Sequence, residues 1–412
     1  MSTVSKQEKS WILYDVANSA FTMLISTTIP IFFRSLAEQE VSASQASGMW
    51  GITTSAAVLI LAVLSPFLGA LADYNGMKKK MFSFFLALGV AGLLLLSFSG
   101  NWIIYMLLFV LTRIGYGACN IFYDSMLVDV TDDSRMDRIS SYGYALGYIG
   151  SCIPFVIGIA LILLRPFGLS TQTATQISFV ITALWWVGLT VPLLRNVRQT
   201  HYLERRNNQV SHAFSRVGST LKKIRKNPAL LSFIIAYFCY IDGVYTIISM
   251  ATTYGGEVGI SDSSMILALL LTQFVAFPCA IFSGKLAEKI GTLKVIRGSI
   301  LIYCGICLFG YQLDKSWEFW VLAVVVGMAQ GGIQSLSRSY FGRMIPKKES
   351  NEYFGFFDIF GKFADFFGPL IMSFCAFAFG SSTYGILGLL VLFLTGYFLL
   401  RKIPETPSEP TL

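Results

Sequence analysis

Residues 69–79 read Gly69-Ala70-Leu71-Ala72-Asp73-Tyr74-Asn75-Gly76-Met77-Lys78-Lys79, and residues 284–294 read Gly284-Lys285-Leu286-Ala287-Glu288-Lys289-Ile290-Gly291-Thr292-Leu293-Lys294. A glycine, a Leu-Ala pair, an acid, a second glycine and a lysine recur at a displacement of 215 residues. A generic short basic loop explains the lysines but not the shared glycine and acid spacing, so the chain carries an internal repeat. The glycines let the backbone turn tightly, and the acid can accept hydrogen bonds from the N-terminus of an adjacent helix. Gly69, Asp73, Gly76, Lys78, Gly284, Glu288 and Gly291 are therefore expected to form cytoplasmic gate loops that hold two halves together on one face.

Each loop closes an apolar run, and such runs fill the chain. Crossing a hydrocarbon core of about 30 Å takes about 20 helical residues. Twelve stretches meet that length: 10–36, 48–72, 81–99, 102–128, 140–164, 174–195, 228–254, 262–284, 293–313, 317–341, 353–379 and 382–400. They are too long for barrel strands and lack ten-residue alternation. Composition agrees: only 13% of the 412 residues are charged and 54% are hydrophobic, against about 25% and 45–50% in soluble domains. The expected fold is an all-α membrane protein of twelve transmembrane helices in two parallel-related six-helix bundles, residues 1–195 and 228–400, with a linker at 196–227 and a tail at 401–412. Lys6 and Lys9 before an apolar run imitate a secretion signal, but the run continues to Leu36, holds Asp15 and Asn18 and lacks a small-residue cleavage site, so the segment is expected to be retained.

The basic residues set the orientation. Of 31 Lys and Arg, 25 fall on the side of the termini and three, Arg34, Arg165 and Lys315, on the other, which predicts cytoplasmic termini. Arg113, Arg338 and Lys362 lie inside spans. Nine of the basic residues lie between Arg195 and Lys226, facing the single acid Glu204, and read as a solvated, partly helical linker at anionic headgroups. The net +8 is thus a topology signal; the linker has no array of aromatic stacking groups, and no nucleic acid is expected.

Both copies of the repeat sit at the cytoplasmic end of the second span of a six-span half, so the repeat is parallel rather than inverted. The loop from Gly69 to Lys79 resembles the signature loop of the major facilitator superfamily, with Tyr74 and Met77 where basic residues are usual and Lys78 and Lys79 as substitutes. Four stretches resemble the branch of vacuolar amino-acid effluxers and their bacterial relatives. These are WILYDVANSAF (Trp11–Phe21), SYGYALGYIG (Ser141–Gly150), YFCYIDGVYTI (Tyr237–Ile247) and the run from Gly327 to Pro369 with GGIQSLSRSYFGRMIP and FGFFDIFGKF. The resemblance implies a cavity lined by spans one, four, seven and ten, rocking alternating access, and a small solute, an amino acid, moved with protons.

Ionisable groups inside spans are costly, about 2.5–3.5 kcal/mol each at mid-bilayer on insertion scales, and mark a pathway or a partner. At 100° per residue, polar stripes form from Asp15, Asn18, Ser19, Thr22 and Ser26; from Arg113, Gly117, Asn120 and Asp124; from Asp242, Tyr245, Thr246 and Ser249; from Gln330, Gln334 and Ser337; and from Asp358, Lys362 and Asp365. Arg113 and Asp242 lie about 16 and 21 Å along their helices and lead the candidates. Arg113 either binds a solute carboxylate or pairs with an acid such as Asp15 or Asp124; Asp242 either carries a proton or pins a helix kink. Asp15, near the cytoplasmic end of its span, suits a gate as well as binding, and Asp358, Lys362 and Asp365 can neutralise one another. Arg338 and Arg343 read as snorkelling to headgroups. Tyr144, Tyr148, Tyr240 and Tyr245 are candidate cavity linings, and Gly143, Gly147 and Gly150 mark close helix packing.

No zinc spacing, phosphate loop or nucleophile elbow occurs, and the seven cysteines all lie in spans, so no metal, cofactor or enzyme activity is expected. The expected partners are a small solute, protons and the bilayer, with a monomeric protein in a bacterial plasma membrane. Two other classes remain open: a non-transporting receptor or scaffold acting through the basic linker, and a membrane enzyme on a lipid, which the missing nucleophile–base pair disfavours.

Overall fold

The computed structural model describes residues 4–205, 208–257, 259–313, 315–379 and 383–405. The first half contains α1 (Lys6–Ser26), α2 (Thr28–Ala37), α3 (Ala43–Ala72), α4 (Met77–Phe98), α5 (Trp102–Ser125), the short α6 (Leu127–Val130), α7 (Met136–Leu164) and α8 (Thr171–Asn196). The linker folds α9 (Gln209–Lys226), and the second half contains α10 (Pro228–Glu257), α11 (Asp262–Ile290), α12 (Thr292–Gly310), α13 (Ser316–Met344), α14 (Ser350–Phe379) and α15 (Thr383–Leu400). Twelve membrane-crossing segments result, and no β-strand occurs among the described residues.

Local chemistry sets the ends. Ser5 and Glu8 form a reciprocal capping box at α1, Ser42 and Gln45 another at α3, and the Asn101 side chain accepts from the N–H groups of Ile103 and Ile104 at α5. The first span is two helices rather than one. Thr27 breaks it at φ −132°, ψ −78°, because Pro30 has no N–H to give the Ser26 carbonyl and its ring crowds that group. Several helices also run beyond the expected apolar limits: α4 starts at Met77, from a left-handed turn at Gly76 (φ +72°), and takes Lys78–Lys80 into its first turns.

Buried apolar side chains form two large clusters, one from Trp11 to Val197 and one from Ile224 to Ile403. The halves meet along two seams, α3 against α14 and α7 against α11. In each, the second span of one half lies on the fifth span of the other, as a parallel repeat with a two-fold relation requires. The first glycine of each repeat copy marks a crossing: a Cβ on Gly69 would overlap the Asn351 backbone, and one on Gly284 would stand 2.7 Å from Ser141.

The linker is not only a solvated tether. Gln199 Oε1 accepts from Gly76 N–H at 3.0 Å, Leu203 pairs with the backbone of the 69–79 loop, and Phe214 of α9 packs on Phe67. Its helix is amphipathic, and the face that carries Ala213, Arg216, Thr220 and Ile224 is docked.

Candidate functional site

The polar stripes of α1, α5 and α13 meet between the bundles, and one side chain sits where they meet. Helix α13 carries Gln330, Gln334 and Arg338 at four-residue steps on one face. Arg338 is 3% exposed. It donates from Nη1 to Asp124 Oδ1 (2.9 Å), from Nη2 to Asp15 Oδ2 (3.3 Å) and to the Ser140 carbonyl (3.1 Å), and from Nε to Ser140 Oγ (3.0 Å). Rings of Tyr144, Trp11 and Tyr123 surround its guanidinium with centroids at 4.3, 4.7 and 5.3 Å. Headgroup snorkelling is therefore the wrong reading of Arg338. The residue is the buried cation of the site, and a buried charge persists only where partners of this kind replace water. The signal was available, since Arg338 lies one turn beyond Gln334 on the same stripe.

Because Arg338 takes both acids, Arg113 does not pair with Asp15 or Asp124. Arg113 is half-buried on the face of α5 that carries Asn120 and Asp124, and its guanidinium lies 5.8 Å from the Tyr116 ring centroid; among the described residues it has no carboxylate partner. Tyr116 in turn bonds Thr22 at 2.7 Å, and Asn18 donates to Asn120 at 3.1 Å. Tyr148 donates to Gln334 Oε1 at 2.5 Å, and Tyr240 shares a 2.5 Å bond with Ser337. On α14, Asp358 pairs with Lys362 and accepts from Ser65 Oγ at 2.7 Å; the Asp365 side chain lies outside the described residues.

Asp242 is fully buried between α10 and α14, and its Oδ1 accepts the Gly368 N–H at 2.9 Å, next to Pro369. Tyr245 is half-buried on the next turn of α10. Gln330 is buried beside a largely apolar cavity of about 100 Å³ inside the second bundle, whose walls include Thr246, Met250, Gln273, Phe319 and Met372.

The linker face is closed by a second layer. Asp73 Oδ1 accepts from the Asn351 N–H and Nδ2, both at 2.9 Å, and Oδ2 from the Glu352 N–H at 3.3 Å, so it caps the first turn of α14 across the seam. Arg216 of α9 donates to Asp73 Oδ2 at 3.0 Å and also grips Glu352. Burial pushes the Asp73 carboxyl up to about 6 against the pull of Arg216. Burial also opposes the charge of Arg216, but Glu352 and Asp73 outweigh it and raise its pKa above the ordinary value. Lys78 is fully buried with Nζ 2.5 Å from Asp129 Oδ2, and Asp129 Oδ1 accepts the N–H groups of Thr200 and His201 from the linker.

In the second copy of the repeat the polarity is reversed. Glu288 makes a 3.8 Å pair with Arg138, while the buried acid belongs to α7: Asp137 pairs with Arg343 at 2.8 Å and accepts from Thr292 at 2.6 Å and from Ser339. Gly291, at φ +101°, turns the chain into α12. Arg343 therefore belongs to this closure and not to the headgroups. Sequence reasoning missed Asp129, Asp137, Ser140, Asn351 and Glu352, near helix ends where polar residues are unremarkable, and Arg216, one of nine basic residues between Arg195 and Lys226.

Among the described residues, every hydrogen bond and ion pair between the bundles lies between the linker face and the level of Tyr148 and Gln334. Beyond it the stripes become exposed: Asp15 and Asn18 are buried but Thr22 and Ser26 are not, and Asp242 is buried but Ser249 is not. The interior is closed toward the linker and open toward the far face.

Residues 3–408 match the family described as "Vacuole effluxer Atg22 like". The chain belongs to this family. It is 45% identical over 415 residues to the "Uncharacterized MFS-type transporter YxiO" of Bacillus subtilis (strain 168), with 99% of this chain and 97% of that protein covered. It is 26% identical to Autophagy-related protein 22 of Yarrowia lipolytica (strain CLIB 122 / E 150) over 66% of this chain, which spans about half (51%) of that protein's length. Among solved structures it resembles the human organic anion transporter MFSD10 (TM-score 0.74, 13% identity, 97% of this chain and 100% of that one). It also resembles FucP in the outward conformation (TM-score 0.68, 15% identity, 97% and 98%); at such identities the likeness is one of fold. This Atg22-like chain is thus a multi-pass major facilitator transporter and not an enzyme.

Proposed function

We propose that this protein moves a small zwitterionic solute, an amino acid in the simplest case, by rocking alternating access with proton coupling. The observation that carries the reading is Arg113, a half-buried guanidinium about 16 Å along its helix, on the open side of a bonded floor and without a carboxylate partner among the described residues. Such a group offers two parallel N–H donors to a carboxylate, and desolvation strengthens the pair. Asp242 supports the proton role: a buried carboxylate bonded to the α14 backbone at Gly368 links its protonation to the shape of a seam helix. Asn18, Asn120, Tyr245, Gln330 and Gln334 supply the remaining polar lining of the path.

The excess of basic residues on the linker side and the Bacillus relative support a bacterial plasma membrane with cytoplasmic termini, which makes this state outward-open. We take the working unit to be a monomer without a nucleic-acid partner. A scaffold role for the linker has little support, because Arg205, Arg216 and Lys223 are engaged within the molecule.

Proteoliposomes with an imposed pH gradient and a panel of labelled amino acids test this. Saturable uptake is expected in the wild type, loss in Arg113→Ala, and uncoupled flux in Asp242→Asn, whose amide oxygen still accepts the Gly368 N–H. Proton-coupled flux that survives Asp242→Asn removes the coupling assignment; flux of no solute removes the transport reading.

A further inference from the structure

The cage around Arg338 divides unequally between the bundles. Trp11 and Asp15 stand on α1, Tyr123 and Asp124 on α5, and Tyr144 and Ser140 on α7, all in the first bundle; only the guanidinium comes from the second. We propose that the first bundle holds an organic-cation site that Arg338 fills here as a tethered occupant, and that the site takes a guanidinium- or ammonium-bearing molecule from the linker face once the bundles part. The inference rests on the alternating-access reading only for the moment at which the site is vacated.

The site is assembled by its own bundle. Trp11 stacks on Tyr123 with centroids 4.5 Å apart, and its Nε1–H donates to the Tyr123 carbonyl at 2.9 Å, so the rings hold each other. A Cβ on Gly143 would lie 2.7 Å from Asp15 Oδ2 and 3.1 Å from Arg338 Nη2; the glycine makes room for the cation and its acid together.

The chemistry selects the occupant. Aromatic faces attract weakly hydrated organic cations through their quadrupoles and offer no ligand to a hydrated metal ion. Two carboxylates and a backbone carbonyl accept N–H donors, and among the described residues no group of three metal-ligating acids, histidines or cysteines occurs. Opening the linker face draws Arg338 away with α13 and leaves Asp15 and Asp124 facing each other without their cation. An uncompensated buried acid is costly, so the vacated cage binds the next suitable cation. The return of Arg338 then displaces it, which converts binding on one face into release.

Methylguanidinium is the probe, with methylurea as its neutral isostere and sodium as a charge control, on the full-length protein in nanodiscs. Arg338→Ala is expected to gain a saturable rise in thermal midpoint and a change in tryptophan fluorescence with methylguanidinium only. Adding Asp124→Asn is expected to weaken this by about tenfold or more. An equal response to methylurea, a response untouched by Asp15→Asn with Asp124→Asn, or no response overturns the site. Should Arg338→Ala not fold, Ser335→Cys in the otherwise wild-type chain replaces it, because Ser335 is buried at the closed seam against Ser141. Methylguanidinium is expected to speed maleimide labelling of this cysteine, and an unchanged rate overturns the proposal. Binding without solute flux overturns the transport reading and leaves the site standing.

Discussion

Arg338 and Arg113 are the same residue type at different depths, since the Asp124 that Arg338 grips lies eleven residues, about 16 Å, further along α5 than Arg113, and their surroundings differ as sharply. Arg338 has two acids, a serine and three rings; Arg113 has one tyrosine face. Arg338→Met is expected to lower stability by about 3–5 kcal/mol, because it leaves two buried acids without their cation. Thermal unfolding in detergent measures this, and adding Asp15→Asn and Asp124→Asn is expected to recover much of the loss. Arg113→Met, which removes no partner, is expected to leave the midpoint nearly unchanged while abolishing uptake. Gly143→Ala is expected to destabilise by about 1–3 kcal/mol, since its methyl collides with the Asp15–Arg338 pair.

At the scale of elements, α9 joins the closure of α3 on α14. A single guanidinium, Arg216, holds Asp73 of one half and Glu352 of the other, so Arg216→Ala leaves two buried acids in repulsion. The variant is expected to spend less time closed on the linker face, read as a longer spin-label distance between the linker-side ends of α3 and α14. The pH dependence has a definite sign. The closed state holds the Asp73 proton with a pKa near 6, while in water the carboxyl returns toward its ordinary 3.8. Closure therefore gains as pH falls from 7 through 6 toward 4, and the gain is lost as pH rises above 6. The same distance measured across this range checks it, and Asp73→Asn is expected to flatten the dependence. Neither Arg216 nor Glu352 stands out in the sequence, because an arginine in a basic linker and a glutamate at a helix start both have ordinary explanations. By contrast, the break of the first span at Thr27 is legible in hindsight from Pro30.

Across the whole molecule, the two seams form one clamp on the linker face, and the proposed alternating access requires that it open. Ser141 and Ser335 oppose each other across it with hydroxyl oxygens 3.1 Å apart. A Ser141→Cys, Ser335→Cys pair, in a chain without other cysteines, is expected to stop flux on oxidation and regain it on reduction; flux through the oxidised form would rule out opening at this seam. The sequence by itself determined the twelve spans, the parallel repeat, the two bundles and the polar stripes, because hydropathy, helical period and loop charge are local properties that a one-dimensional reading measures directly. The same local period put Asp15, Asn120, Asp124 and Gln334 on polar helix faces, where they bond Arg338, Asn18, Arg338 and Tyr148 respectively. Only the tertiary structure decided which cation meets which acid, that the linker belongs to the clamp, and which face is closed. Asp15 and Arg338 lie 323 residues apart, and their pairing depends on how two separately packed bundles lean together, a relation that no local periodicity encodes.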